Sequence, residues 1–343
     1  MEFTNSLLLW YLENQRELPW RQTRDPYCIW LSEIMLQQTR VAQATPYYLR
    51  FLEAFPTVVD LAEASEEQVL KLWQGLGYYS RARNLHHTAK QVAFDYQGQF
   101  PTTYHELLKL KGIGAYTAAA IASIAFDEAV AVVDGNVYRV LARFFGVETD
   151  IASSAAPKEF SALANMLLDP KRPAQFNQAL MEFGAMQCTP KNPQCHQCPL
   201  QWSCVAYRDK KVAELPVKTK KTKITDRYFH YLIVEDPQRK ILLEKRTEKG
   251  IWHNLYQFPL IETPTPISWA DLQQKIASIW PLETINSMVE INKTTILHKL
   301  SHQNLYIRFY KISLNKEMAA GVQRESLEDY PFPIVIYNFI KTY

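Results

Sequence analysis

The chain is 343 residues long, 47% hydrophobic and 21% charged, with a formal net charge of +3 at pH 7. These values describe an ordinary soluble globular protein of two domains, each large enough to bury its own core. They do not announce nucleic acid, so any basic surface has to be local.

Ser6 to Leu12 has no positive flank before it and is far shorter than a bilayer span, so it reads as the first amphipathic helix. No targeting segment and no membrane partner are expected. Residues 1–207 look almost entirely helical, with apolar residues recurring at three and four over Tyr27 to Leu52, Val58 to Trp73 and Thr117 to Ala125. Glu33 sits in the first of these among mostly apolar neighbours, either facing solvent or buried for a purpose. Beside an apolar pocket its carboxyl group would keep its proton near neutrality, as a general acid must.

Only ten glycines occur, and five of them fall in three short loops: Gly75-Leu76-Gly77, Gly112-Ile113-Gly114 and Asp134-Gly135. In the second, Leu107 to Lys111 reads as one helix, the glycines as a hairpin and Tyr116 to Ala119 as the start of the next helix. A turn of that kind exposes successive N–H groups at a helix N-terminus and suits a phosphate, although glycine caps on a plain turn would look the same. Asp134 follows the apolar run Ala129 to Val133 and could simply cap the helix beginning at Val137. Paired with Glu33 it would also complete the minimum apparatus for glycosidic cleavage, one carboxyl protonating the leaving group and the other facing an oxocarbenium centre.

Four of the five cysteines lie within seventeen residues, as Cys188-x6-Cys195-x2-Cys198-x5-Cys204, and the fifth is Cys28. Four thiolates gathered by loops broken at Pro190, Pro193 and Pro199 make a closed all-sulfur site for zinc or an iron-sulfur cluster. Zinc usually takes two Cys-x2-Cys knuckles, whereas one short pair is present here, so the spacing favours an iron-sulfur cluster over zinc. Free thiolates and a single unpaired cysteine fit a reducing, intracellular setting, cytoplasmic or at the nucleoid in a bacterium. Residues 208–225 carry six lysines around Pro216 and read as a basic linker. Beyond them Tyr228 to Val234, Ile241 to Lys245 and Leu305 to Ile312 have strand character, while Trp269 to Trp280 reads as a helix, which gives a smaller α+β domain over residues 226–343.

Leu18-Pro19-Trp20-Arg21, Ser32-Glu33-Ile34-Met35-Leu36-Gln37-Gln38-Thr39, Gly75-Leu76-Gly77-Tyr78-Tyr79-Ser80-Arg81, Val133-Asp134-Gly135-Asn136-Val137 and the four cysteines occur in order. Together they closely resemble the adenine DNA glycosylases of the MutY type, within the helix-hairpin-helix DNA glycosylases. The resemblance implies a mostly α N-terminal glycosylase domain over 1–207, with its helix-hairpin-helix at about 107–120 and its iron-sulfur loop at 188–204. A smaller α+β, Nudix-like domain would come after it. It also implies a monomer that acts on duplex DNA, excising adenine mispaired with 8-oxoguanine or guanine.

Under the resemblance Glu33 protonates adenine at N7, Asp134 stabilises the sugar cation and Asn136 supports the carboxylates. The related endonuclease III type places a Schiff-base lysine two residues after the hairpin. Here that position is Tyr116, which implies a monofunctional enzyme. Gln38 and Tyr78 match residues that wedge into the base stack, Arg16, Trp20, Arg21 and Gln178 match the lining of the adenine pocket, and Gly112 and Gly114 match the phosphate hairpin. In the last domain the family's Phe-Ser-His loop appears as Leu300-Ser301-His302, so Ser301 and His302 would read the oxidised guanine without the aromatic ring. The magnesium-binding Arg-Glu-x-x-Glu-Glu cluster of a true Nudix hydrolase is missing after Pro259. The competing readings are an endonuclease III-type enzyme for pyrimidine lesions and a non-catalytic iron-sulfur protein that binds DNA or carries electrons.

Overall fold

The computed structural model describes residues 2–219 and 223–343. Lys220 and Lys221 of the basic stretch lie outside the described residues. The chain folds as two compact units, Met1–Ala64 with Arg83–Lys220, and Ser65–Ala82 with Lys221–Tyr343.

In chain order the helices before the basic stretch are α1 (Glu2–Asn14), α2 (Pro26–Leu36), α3 (Val41–Ala54), α4 (Val58–Glu63), α5 (Glu66–Leu72), α6 (Ser80–Lys90), α7 (Tyr104–Leu107), α8 (Ala115–Phe126), α9 (Gly135–Phe145), α10 (Ala156–Leu167), α11 (Pro173–Met186) and α12 (Val205–Arg208). In the first unit α11 packs on α1, α8 and α9, while α2 packs on α3 and α8. Phe160, Phe176 and Leu141 are fully buried in the core this creates. Each such side chain contributes about 1.5–3 kcal/mol on leaving water.

Two long helical stretches expected from periodicity are each broken. Tyr27 to Leu52 divides into α2 and α3 because Gln38 takes a left-handed backbone, φ 55°. Val58 to Trp73 divides at Ala64 because Ser65 starts a new helix with its own capping box, its hydroxyl accepting from the Gln68 N–H while the Gln68 side chain accepts from the Ser65 N–H. The helix expected at Leu107 to Lys111 instead ends at Leu107, after starting from the Thr103 cap. Beyond Leu107 the chain makes a series of tight turns in which Lys109, Leu110 and Ile113 donate to Glu106, Leu107 and Leu110, three residues back. Within residues 208–219 the stretch around Leu215 docks on the helical core, Leu215 being 3% exposed and the Ile151 N–H donating to the Val217 carbonyl at 3.0 Å, while Arg208 to Lys210, Lys218 and Thr219 stay exposed.

In the second unit the strands are β1 (Thr225–Glu235), β2 (Lys240–Ile241), β3 (Glu244–Lys245), β4 (Tyr256–Gln257), β5 (Leu260–Thr263), β6 (Ile285–Glu290), β7 (Ile296–Lys299), β8 (Gln303–Leu314) and β9 (Val322–Gln323). Its helices are α5, α13 (Trp269–Ile279) and α14 (Ile334–Thr342). The sheet runs β6-β8-β1-β2-β9, with β5 also pairing β1 and β7 also pairing β8, and β1 lies parallel to β8 over eleven residue pairs, Thr225↔Gln303 to Glu235↔Ser313. Phe229 to Val234 are all buried, so β1 is covered on both faces. On one side α13 sets Leu272 and Ile276 against Leu232, Val234 and Ile312, and Phe339 of α14 stacks on Phe309 of β8. The α5 segment joins the same unit: Glu67 accepts from Lys245 and Tyr256 at 2.8 Å each, and Gln74 accepts from the Phe332 N–H at 3.0 Å.

Candidate active site

Helix α2 is buried nearly all round from Tyr27 to Met35, so a carboxylate on it cannot reach water. Glu33 is 6% exposed, and the Tyr116 hydroxyl, in the first turn of α8, donates to its Oε2 at 2.5 Å. Burial pushes the Glu33 carboxyl up to about 7; the Tyr116 hydrogen bond pulls it down, the charge of Asp134 pushes it up, and Arg21 pulls it down. Burial and the neighbouring Glu33 carry the Tyr116 phenol well above its ordinary value, so it stays a donor. The same hydroxyl lies 3.6 Å from the Met181 sulfur.

Asp134 caps α9, its Oδ1 accepting from the Val137 N–H at 2.7 Å and its Oδ2 from the Asn136 side chain at 2.7 Å. Burial raises its carboxyl pKa, and these donors limit the rise. The cap thus fixes in place the carboxyl whose charge acts on Glu33. Behind it Arg139, 8% exposed, donates to the Asn136 Oδ1 at 2.8 Å, the Gly184 carbonyl at 2.6 Å and the Cys188 carbonyl at 2.7 Å. A Cβ on Gly184 would stand 2.7 Å from the Asn136 Cβ and 2.9 Å from its carbonyl oxygen, so only glycine lets α11 close on Asn136.

The four cysteines line one cavity, which is walled by Val140, Phe144, Phe183 and Leu200. Arg143 holds the loop by donating to the Thr189 carbonyl at 2.7 Å, the Pro190 carbonyl at 3.2 Å and the Cys188 sulfur at 3.4 Å. All four thiols are unpaired. Four sulfurs spread around an apolar cavity, with a guanidinium on one of them, fit a polynuclear cluster of net negative charge.

The remaining expected site residues fall into four settings. Arg16 and Arg21 both engage Glu182 of α11, Gln178 one turn earlier accepts from the Tyr11 hydroxyl at 2.9 Å, and Trp20 is 7% exposed with its ring edge-on to Tyr48. Gln38 stands exposed in its left-handed turn. In the hairpin Gly112 has φ 77° and a Cβ there would stand 2.8 Å from the Asn84 Cβ, whereas Gly114 caps α8 with open space beside it. In the second unit Tyr78 is 45% exposed with φ 49°, and its hydroxyl hydrogen-bonds Ser301. Ser301 and His302 are exposed in the turn between β7 and β8, and the His302 carbonyl accepts from the Thr225 N–H at 3.1 Å. Non-glycine residues in left-handed backbone carry strain of about 1–3 kcal/mol and concentrate at functional sites. Sequence reasoning missed Glu182, Arg139 and Gly184. A charged residue inside Phe176 to Phe183, four residues after Gln178, was the available signal for the first.

Residues 31–166 match the model of the HhH-GPD superfamily base excision DNA repair proteins, residues 188–204 the iron-sulfur binding domain of endonuclease III, and residues 230–342 the NUDIX domain. The first unit thus has the architecture of a base excision repair glycosylase, and its cysteine loop is a 4Fe-4S site. An adenine DNA glycosylase of Buchnera aphidicola subsp. Schizaphis graminum is 36% identical over 89% of this chain and 86% of its own, and that of Mus musculus is 35% identical over 93% and 72%. The Homo sapiens adenine DNA glycosylase is 48% identical over 60% of this chain and 39% of its own. The chain belongs to the adenine DNA glycosylase family, enzymes that hydrolyse N-glycosyl bonds. Among solved structures, a thermostable thymine-DNA glycosylase is 32% identical with a TM-score of 0.57, covering 60% of this chain and 95% of its own. A trapped endonuclease III–DNA covalent intermediate, 23% identical with a TM-score of 0.53 over 60% of this chain and 94% of its own, shares the fold. No helix among the described residues is long and apolar enough to cross a membrane.

Proposed function

We propose that this protein removes adenine from duplex DNA where it is mispaired with 8-oxoguanine or guanine, acting as a monofunctional glycosylase and as a monomer inside the cell. The observation that carries the proposal is the buried Glu33 carboxyl, pushed up to about 7 and facing Tyr116 and Asp134. An acid that keeps its proton near neutrality can give it to adenine N7, and the electron pair of the glycosidic bond then leaves with the base. Asp134, oriented by Asn136 and the Val137 N–H, faces the cationic sugar until water adds. Adenine must leave the stack to reach these groups. Gln38 and Tyr78, in strained and exposed backbone, are the residues to fill the gap, while Arg16, Trp20, Arg21 and Gln178 line the adenine pocket. The N–H groups at Gly112 and Gly114 grip the phosphate chain, and Ser301 with His302 reads the opposite base. The 4Fe-4S cluster orders the loop from Cys188 to Cys204 and takes no part in bond cleavage.

Tyr116 occupies the position where a lysine would form a Schiff base, and a phenol cannot. Borohydride treatment during turnover should therefore give no stoichiometric protein–DNA crosslink; formation of one would remove the monofunctional reading. The decisive assay measures alkali-labile sites in a duplex carrying adenine opposite 8-oxoguanine, for the wild type beside Glu33→Gln. Cleavage at an oxidised pyrimidine in place of adenine would favour the endonuclease III type.

A further inference from the structure

Helix α11 turns one face toward the site. At positions three and four apart, Gln178 takes the Tyr11 hydroxyl at 2.9 Å, Met181 touches the Tyr116 hydroxyl at 3.6 Å, and Glu182 takes both guanidiniums. Glu182 is 1% exposed and receives five hydrogen bonds: from the Arg16 N–H at 3.0 Å, Nε at 2.8 Å and Nη2 at 2.6 Å, and from Arg21 Nη1 at 3.1 Å and Nη2 at 2.8 Å. Arg21 also donates to the Arg16 carbonyl at 3.1 Å and lies over the Tyr11 ring, its guanidinium carbon 5.7 Å from the centroid. So dense a set of charge-assisted bonds leaves the Arg21 side chain, 14% exposed, a single position. Glu182 cannot be replaced there by solvent.

We infer that Glu182 is a positioning residue of the glycosylase site: it pins Arg21, whose turn Pro19–Arg21 packs on the α2 helix that carries Glu33, and cancels its charge, so that Glu33 keeps the proton it must deliver. The inference rests on the reading of Glu33 as the acid. Among the described residues the groups acting electrostatically on Glu33 are Tyr116 from α8, Asp134 from the start of α9 and Arg21 from the turn before α2. Of these, Tyr116 and Arg21 favour the ionised form and Asp134 opposes it. An Arg21 stripped of its counter-ion would draw the Glu33 proton off at lower pH. Glu182 itself stays ionised throughout, because the desolvation that raises its pKa is outweighed by the hydrogen bonds from Arg16 and Arg21, which leave it at about 2.

The test is single-turnover release of adenine from a duplex bearing an adenine:8-oxoguanine pair, by the full chain with its cluster, from about pH 5 to about pH 9. In Glu182→Gln the alkaline limb should move about half a pH unit toward acid, while in Arg21→Gln, with Glu182 intact, it should move toward alkali. Glu182→Asp, which restores the charge, should bring the limb back. A fall by one factor at every pH in Glu182→Gln, or an Arg21→Gln limb that stays in place or moves toward acid, overturns the inference. The Arg21 arm alone decides if Glu182→Gln does not fold. Glu33→Gln, assayed beside them, separates the two levels: unmoved limbs with an inactive Glu33→Gln remove only the role of Glu182, whereas full activity in Glu33→Gln removes both readings.

Discussion

The α2 and α11 walls of the site each bury a glutamate, Glu33 6% and Glu182 1% exposed, yet the first is held at about 7 and the second at about 2. Burial raises both. The difference lies in the donors: Glu33 receives one neutral phenol, and Glu182 receives two guanidiniums through four bonds and the Arg16 backbone N–H through a fifth. Depth sets the cost of a charge, and the partners decide whether the charge is kept. Helices in one unit can in this way present a stored proton and a fixed anion side by side.

That contrast breaks first at Glu33. Glu33→Gln, which keeps the shape and loses the transferable proton, should lower single-turnover adenine release by about 10²–10⁴-fold. Next, Glu182→Ala leaves two guanidiniums without their carboxylate and should cost about 3 kcal/mol in urea unfolding, discounted from a fully buried pair because the Arg16 side chain is 37% exposed. A third expectation concerns pH. The Glu33 pKa is raised in the folded state, so its penalty is absent below the ordinary glutamate value and grows as pH climbs toward about 7, reaching about 3 kcal/mol. Glu182 has the opposite sign, its contribution being present above the ordinary value and lost as pH falls toward about 2. Between about pH 5 and about pH 8 the wild type should therefore lose stability while Glu33→Gln stays nearly flat, and parallel curves would refute the assignment. The smallest effect belongs to Tyr116→Phe, which removes the donor that lowers the Glu33 pKa. It should move the alkaline limb of activity upward by less than about one unit and change the maximal rate little.

Much of this was legible in the residues. Asp134 before Gly135-Asn136-Val137 reads as a helix cap, and it is one, with the second carboxyl role compatible with that geometry. The cysteine spacing pointed to a cluster loop, because ligand chemistry is local in sequence. Glu182 showed in the sequence only as a charge among apolar neighbours, since its meaning depends on arginines 161 and 166 residues away in the chain. The helix breaks at Gln38 and Ser65 escaped apolar periodicity for different reasons. A left-handed glutamine leaves no signature in composition, whereas the Ser65-x-x-Gln68 capping box was written in the sequence and is outvoted only if hydrophobic spacing alone is counted.

Ser65–Ala82, inserted between α4 and the later helices of the first unit, is built into the same unit as the sheet that begins some 140 residues later, and Trp73 within it is fully buried. The C-terminal unit is thus discontinuous. A truncation after the basic stretch would strip the packing from α5, leaving Glu67 and Gln74 without the groups they bind. Tyr78 would likewise lose Ser301. Tyr78 and Ser301 are remote in the chain but joined by a hydrogen bond, so any shift of the turn between β7 and β8 reaches the left-handed Tyr78 backbone directly. Separate expression of the two halves should for that reason never reconstitute two independent proteins, only a helical remnant and an incomplete sheet.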